Sequence, residues 1–344
     1  MKRRDFIELC GKSIACFPLV ETTKAKPALP DTLRFGVISD LHHGLFPQAM
    51  GRLEAFLDAM ARQNVDFIIQ LGDFNYAKEE SRECLDLWES FDGPKYHVLG
   101  NHDMDFKTKE EVVALWSMPA SFYSFDIGGF HFVVLDRNNL NVDGRFEPYS
   151  KGNYYVDQSK RGWADPVQLE WLQEDLSRAN KPSVIFVHQG LGMEPIENPV
   201  EGPRGQIQAV LEAANRQAGQ TRVIACFSGH HHIDRHNLLN GIHYTWINSA
   251  SYYWVGEGYG QMAPYKDSLF ATVTLRTGGL IDIEGRRSSW EAPSPEERSF
   301  PGADELTPYI SDRHLKYSIS PKGMESRLNR RTGMGSANII RGKA

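Results

Sequence analysis

The chain has 344 residues, 24% charged and 41% hydrophobic, a balance that excludes a disordered or fibrous polypeptide and permits one large core or two modest ones. A net charge of −6 gives no general attraction to nucleic acid, so any anionic partner must be met at a local cationic site. No apolar run approaches the roughly 20 residues that cross a bilayer, and the four cysteines form neither a CxxC pair nor a zinc-finger spacing, which leaves no disulfide framework or thiolate metal site.

Residues 1–30 form a signal-like segment. Arg3-Arg4, followed by Phe6-Ile7 and a mildly apolar stretch, resembles a bacterial twin-arginine export signal and predicts delivery to the periplasm or cell envelope. A basic N-terminal helix on a cytoplasmic protein is the alternative.

Residues 31–290 alternate β-rich runs with amphipathic helices. "RFGVIS", "VDFIIQL", "KYHVL", "PSVIFV" and "RVIACF" are continuous apolar runs rich in Val, Ile and Phe, as expected of strands buried on both faces. Between the first two, Met50, Leu53, Leu57 and Met60 fall on one stripe of a helix. "SFYSFDIGGFHFVVLD" carries a hairpin signal at Gly128-Gly129, and Asp165-Pro166 opens a second helix in N-cap and N1 order. A βαβ rhythm predicts an α/β fold with a mainly parallel sheet under helices. A further β-rich block, residues 241–285, predicts a second sheet. Residues 291–344 read as an acidic, Pro-rich linker and a basic C-terminal tail.

Metal-ligand residue types stand immediately after the buried runs. The first is followed by Asp40-Leu41-His42, the second by Gly72-Asp73, the third by Gly100-Asn101-His102-Asp103, the fourth by His188 and the fifth by Gly229-His230-His231-His232. Carboxyl ends of parallel strands open on one edge of a sheet, so these segments should converge in one crevice. Alternation along an extended chain predicts that Asp40 and His42 share a side, that His230 and His232 share a side, and that His231 faces elsewhere. Oxygen donors mixed with imidazole, without thiolate, suit divalent Mn, Fe or Zn. Seven donors are too many for one ion with an open position and about right for two sharing a carboxylate. Two such cations outweigh two carboxylates and a hydroxide, and the net positive site favours a phosphate ester.

The ordered blocks D-x-H, GD, GNHD, H and GHxH, spread over residues 40–232, resemble the calcineurin-like metallophosphoesterase superfamily. That resemblance implies two mixed β-sheets packed face to face with helices on the outer faces. It implies that Asp40, His42 and His232 hold one divalent ion, that Asn101, His188 and His230 hold a second, and that Asp73 bridges them. It also implies that His102 acts as a catalytic histidine near the leaving oxygen, oriented by Asp103, and that a metal-bridging hydroxide attacks phosphorus. His43, His97, His131, His236, His243 and His314 match no block.

The expected activity is that of a broad phosphoesterase on a small, nucleotide-like phosphorylated substrate. A specific cyclic-nucleotide phosphodiesterase or ADP-ribose-type pyrophosphatase is the alternative, and a non-catalytic binding scaffold is disfavoured by the complete ligand set. Pocket walls are expected from Arg137, Asn138 and Asn139, just after a strand, and from Tyr244, Trp246, Tyr252, Tyr253 and Trp254. Those rings could stack a nucleobase or simply pack within strands.

Overall fold

The computed structural model describes residues 32–192, 202–256 and 262–318. The signal-like segment 1–30 and the end of the basic tail lie outside the described residues. Among those described, two six-stranded mixed sheets carry the fold. In the first, Thr32–Ile38, Phe67–Gln70 and Lys95–His97 pair in parallel, and Ala271–Arg276, Leu280–Gly285 and Arg313–Lys316 continue it antiparallel. In the second, Phe130–Leu135, Ser183–Val187, Val223–Ser228 and Ile242–Trp246 run parallel, with Tyr123–Ile127 and Arg235–Leu239 antiparallel at the edges. The hairpin at Gly128-Gly129 is the turn between Tyr123–Ile127 and Phe130–Leu135.

The apolar runs are buried on both faces because each sheet is covered twice. Between the sheets lies an aromatic core. The Phe35 ring meets Phe132, Phe186 and Phe227 of the facing sheet edge-on at 6.1, 5.6 and 5.9 Å between centroids, the geometry that aligns a ring's positive edge with its neighbour's negative face. Outside the first sheet, helix Ala49–Gln63 buries Leu53, Phe56, Leu57 and Met60. Its end is marked by Asn64 in left-handed conformation. Outside the second sheet, Leu172 and Leu176 of helix Pro166–Arg178 join Ile207 and Leu211 of helix Pro203–Ala218 in a separate core over Ile185, Val187 and Cys226. Asp165 caps the first of these helices by accepting the backbone N–H of Gln168 at 2.8 Å.

Two expectations change. The five ligand-bearing strands do not share one sheet: three are adjacent in the first and two are adjacent in the second, so the crevice spans the ends of both. Nor does the chain leave the fold at residue 290. Arg313–Lys316 returns as the edge strand beside Leu280–Gly285, with Ile310 and Tyr317 buried against the core. The Pro and acidic residues that read as a linker form the irregular connection to that strand.

Candidate metal centre

Each strand ends in a sharp loop that turns a donor into the crevice. Asp40, His42, Asp73, His230 and His232 all have positive φ, between 49° and 68°. Their convergence therefore does not come from alternation along an extended chain. It comes from left-handed turns, a conformation costing about 1–3 kcal/mol at a non-glycine residue and held by its surroundings. Backbone bonds do the holding: Asp40 N–H donates to Gly72 O at 3.1 Å, and His42 N–H to Asp73 O at 2.9 Å. The His230 N–H donates to the Asp40 carboxylate at 3.0 Å. At Gly100 the two loops touch so closely that a Cβ would strike the Asp73 backbone nitrogen, which is why that position has no side chain.

Two clusters of donors result. Asp40, His42 and His232 form one; Asp73, His188 and His230 form the other. In the first, His232 Nε2 lies 3.3 Å from Asp40 Oδ1 and 3.1 Å from His42 Nε2. In the second, His188 Nε2 lies 3.2 Å from both Asp73 Oδ2 and His230 Nδ1. Asp73 Oδ2 is also 3.9 Å from His42 Nε2, so this one carboxylate reaches both groups. Asn101 is buried with an Oδ1 that has no hydrogen-bond partner, and it lines the same cavity as His230. His231 belongs to neither cluster, and neither do His43, His97, His131, His236, His243 and His314.

These residues fit a pair of divalent cations. His188 Nδ1 faces the Leu71 carbonyl and His232 Nδ1 the Tyr252 carbonyl, each at 2.7 Å. Both rings carry a proton there, so in the neutral, metal-ready ring each Nε2 presents its lone pair to the ligand atoms around it. Such an array, together with an unpaired buried amide oxygen, repels itself unless positive charge sits among it. Titration behaviour says the same. Burial disfavours charge at His188, yet Asp73 beside it and the Leu71 carbonyl raise its pKa to about 9. Burial would raise the Asp73 carboxyl, but His188 and His102 hold it well below the usual range. Burial brings His42 down to about 3. Two divalent ions are thus the cofactors this donor set takes.

His102 stands at the mouth of the clusters, its ring 5.5 Å from that of His42, and its backbone N–H donates to Asp73 Oδ1 at 2.8 Å. The expectation that Asp103 orients it is not met. Asp103 is fully buried and accepts the backbone N–H groups of Gly100, Asp73, Phe74 and Asn75 at 2.7–3.2 Å, fastening two donor loops together. Asp105 takes the orienting place, with Oδ2 3.0 Å from His102 Nδ1, and the Tyr154 hydroxyl joins both residues at 2.9 Å from that nitrogen. Burial works against a charged His102 ring, but Asp73 and Asp105 raise its pKa above the ordinary value. Neither Asp105 nor Tyr154 belongs to a sequence block; only the spacing of Asp105 one helical turn past His102 hinted at the contact.

The expected pocket walls divide. Asn138 donates to Leu99 O and accepts from Gln189, and Asn139 is bound by Lys109 and Trp163, so both amides are spent on structure. Arg137 is buried and borders a cavity. Tyr244 and Trp246 pack in the second core. Trp254 lies 6.2 and 6.3 Å from the His42 and His232 rings, and the exposed Tyr155 lies 6.5 Å from His102, so these rings adjoin the clusters.

The chain is similar to several known proteins. The manganese-dependent ADP-ribose/CDP-alcohol diphosphatase of Oryza sativa subsp. japonica is 25% identical over 289 residues, covering 68% of this chain and 89% of that protein. Purple acid phosphatase 22 of Arabidopsis thaliana is 26% identical over 205 residues, 52% of this chain but only 40% of its own length. A crystal structure of a dimetal phosphatase from Danio rerio superposes with a TM-score of 0.56 at 17% identity, covering 83% of this chain and 99% of that one, a likeness of fold. The family pattern of the calcineurin-like phosphoesterases matches residues 33–234, the span that holds both donor clusters, and the chain belongs to that family.

Proposed function

We propose that this hydrolase acts on small, nucleotide-like phosphorylated compounds, with His102 as the group that protonates the leaving oxygen. The observation that carries the reading is Asp73, one carboxylate within reach of both donor clusters. Asp40, His42 and His232 would hold one divalent ion, and Asn101, His188 and His230 the other. Once bound, the pair supplies Lewis acidity toward phosphoryl oxygens and a water acidified from about 15.7 toward neutrality. This chain's residues do the rest. Asp105 and Tyr154 hold His102 by Nδ1 and so fix the ring's orientation for proton donation. Asp103 locks the loops that carry Asp73 and Asn101 in mutual register.

A panel assay with added Mn²⁺ tests the reading on p-nitrophenyl phosphate, its bis ester, cyclic AMP and ADP-ribose. Turnover that disappears on chelation and returns with metal is the expected result; no turnover of any ester by metal-loaded protein overturns it. The diphosphatase alternative is supported by the rice relative and by Trp254 and Tyr155 beside the clusters, where a base could stack; preference for ADP-ribose over the monoester would select it. The Arg3-Arg4 pair supports export to the periplasm or cell envelope. Cell fractionation of wild type against a protein with both arginines changed to lysine checks that reading.

A further inference from the structure

The family pattern ends at residue 234, yet the chain returns to the metal centre after it. Residues 307–313 run from the first sheet to the loop that carries His230 and His232. On the first-sheet side, the Ser288 N–H donates to Pro308 O at 3.0 Å, the Ile310 N–H to Arg286 O at 2.9 Å, and the Gly285 N–H to the Asp312 carboxylate at 2.9 Å. On the other side the target is Asp234, two residues past His232. Its Oδ2 accepts the Ser311 N–H at 3.0 Å and the Ser311 hydroxyl at 2.5 Å, and its Oδ1 pairs with Arg313 at 2.7 Å. The Asp234 and Arg313 side chains are only 3% and 13% exposed, so solvent ions screen this pair little. The Asn248 amide also donates to Thr307 O, at 2.8 Å. Asn248 opens a turn that lies against the first donor cluster: the Ser249 hydroxyl donates to Asp40 O and the Ser251 hydroxyl to Leu41 O, both at 2.9 Å, and the Tyr252 carbonyl accepts from His232 Nδ1 at 2.7 Å.

The loop needs such support. It leaves the inner strand Val223–Ser228 and enters Arg235–Leu239, the edge strand of its sheet. It also holds His230 and His232 at φ of 68° and 52°, a backbone state that only its surroundings maintain. We propose that segment 307–313 belongs to the metal centre, with Asp234, Ser311 and Arg313 as positioning residues that keep His232 in place for the ion it would bind with Asp40 and His42. The proposal rests on the ligand assignment above. Two routes lead from the segment to that ion: Asp234 acts along two residues of chain on His232, and Asn248 acts through the 249–252 turn on Asp40 and His232. His230, on the strand side of the same loop, is fastened separately, since the Gly229 N–H donates to His188 O and the His230 N–H to the Asp40 carboxylate, each at 3.0 Å. Grip on the segment therefore sets the affinity of one cation of the pair more than that of the other.

Manganese binding tests this without any substrate. Full-length, metal-stripped protein is titrated with Mn²⁺, the free ion being read by electron paramagnetic resonance, and wild type should take up two equivalents. In Arg313→Met one equivalent should bind tenfold or more weaker, the scale on which a contact behind a ligand acts, while the other stays within about twofold. The double variant Asp234→Asn with Arg313→Met leaves no buried charge unpaired and should show the same split, and Ser311→Ala, the mildest change, should shift the same equivalent in the same direction. Tyr317→Phe is the control. It removes a hydroxyl bonded to Arg276 O at 2.7 Å, level with Thr32 at the end of its strand remote from Asp40, and should leave both equivalents as they are in wild type. Two tight equivalents in every variant, an equal weakening of both, or the same loss in Tyr317→Phe overturns the proposal. Wild type that takes up no Mn²⁺ overturns the two-ion reading itself, and this proposal falls with it.

Discussion

His131 lies on strand Phe130–Leu135 and His188 directly follows the neighbouring strand Ser183–Val187, each against a carboxylate, and only one belongs to the metal centre. His131 places Nδ1 2.7 Å from Asp126 and Nε2 2.7 Å from Asp175, while Lys181 Nζ donates to Asp126 at 2.7 Å. Both ring nitrogens are spent, and two cations answer two anions. His188 gives one nitrogen to a backbone carbonyl and turns the other toward Asp73 and His230 together, so a single nitrogen faces two ligand atoms of different residues. Nearness of imidazole to carboxylate therefore does not mark a site; several ligand atoms crowded around one point do.

The sharpest way to break this contrast is a pair of isosteric changes. Asp73→Asn should abolish turnover and lower bound metal by elemental analysis, whereas Asp175→Asn should leave both unchanged. Retention of metal and activity in the first would refute the role of Asp73. Next in size, His102→Ala should lower kcat by about 10²–10⁴-fold at unchanged metal content; loss of both ions would show that His102 holds metal. Tyr154→Phe removes a hydroxyl bonded to His102 and Asp105. A roughly tenfold drop in kcat, near 1.4 kcal/mol, with a displaced limb of the pH–rate profile is expected; a fall in thermal stability alone would mean that Tyr154 only packs.

The smallest effect belongs to His131. Burial works against its charge, but Asp175 and Asp126 outweigh it and raise its pKa above the model-peptide value of about 6.5. Its contribution to stability is thus fully present below that unfolded-state value and fades as pH rises through the folded one. The Tm of His131→Gln should fall below that of wild type at about pH 5.5, with the gap closing toward about pH 9. A gap that widens with pH would mean the ring is neutral in the folded protein.

Much of the centre was legible because each donor follows its own apolar run: a strand that is buried and then stops must expose whatever comes next. Seven ligand residues could be placed in this way, and the two sheets followed from the resemblance and the second β block. Backbone sign was not legible. Nothing local shows that Asp40 and His42 reach the crevice through left-handed turns. The partner of His102 was misread because Asp103 stands in the block and Asp105 does not, although Asp103 is consumed by four backbone amides. The edge strand Arg313–Lys316 was hidden because a short exposed strand shows polar residues on its open side.

The aromatic plug between the sheets has a bearing on the chemistry at their rim. Loops from one sheet bring Asp40, His42, Asp73 and Asn101, and loops from the other bring His188, His230 and His232, so neither layer alone owns a complete set. Phe35 and Phe186 meet at 5.6 Å well inside the protein, one of several ring contacts that hold together the two layers from which the halves of the cation cage project. Occupancy by metal is consequently a gauge of interlayer registry, and trimming a ring in that plug would reveal itself as a leaking ion before the fold itself gave way.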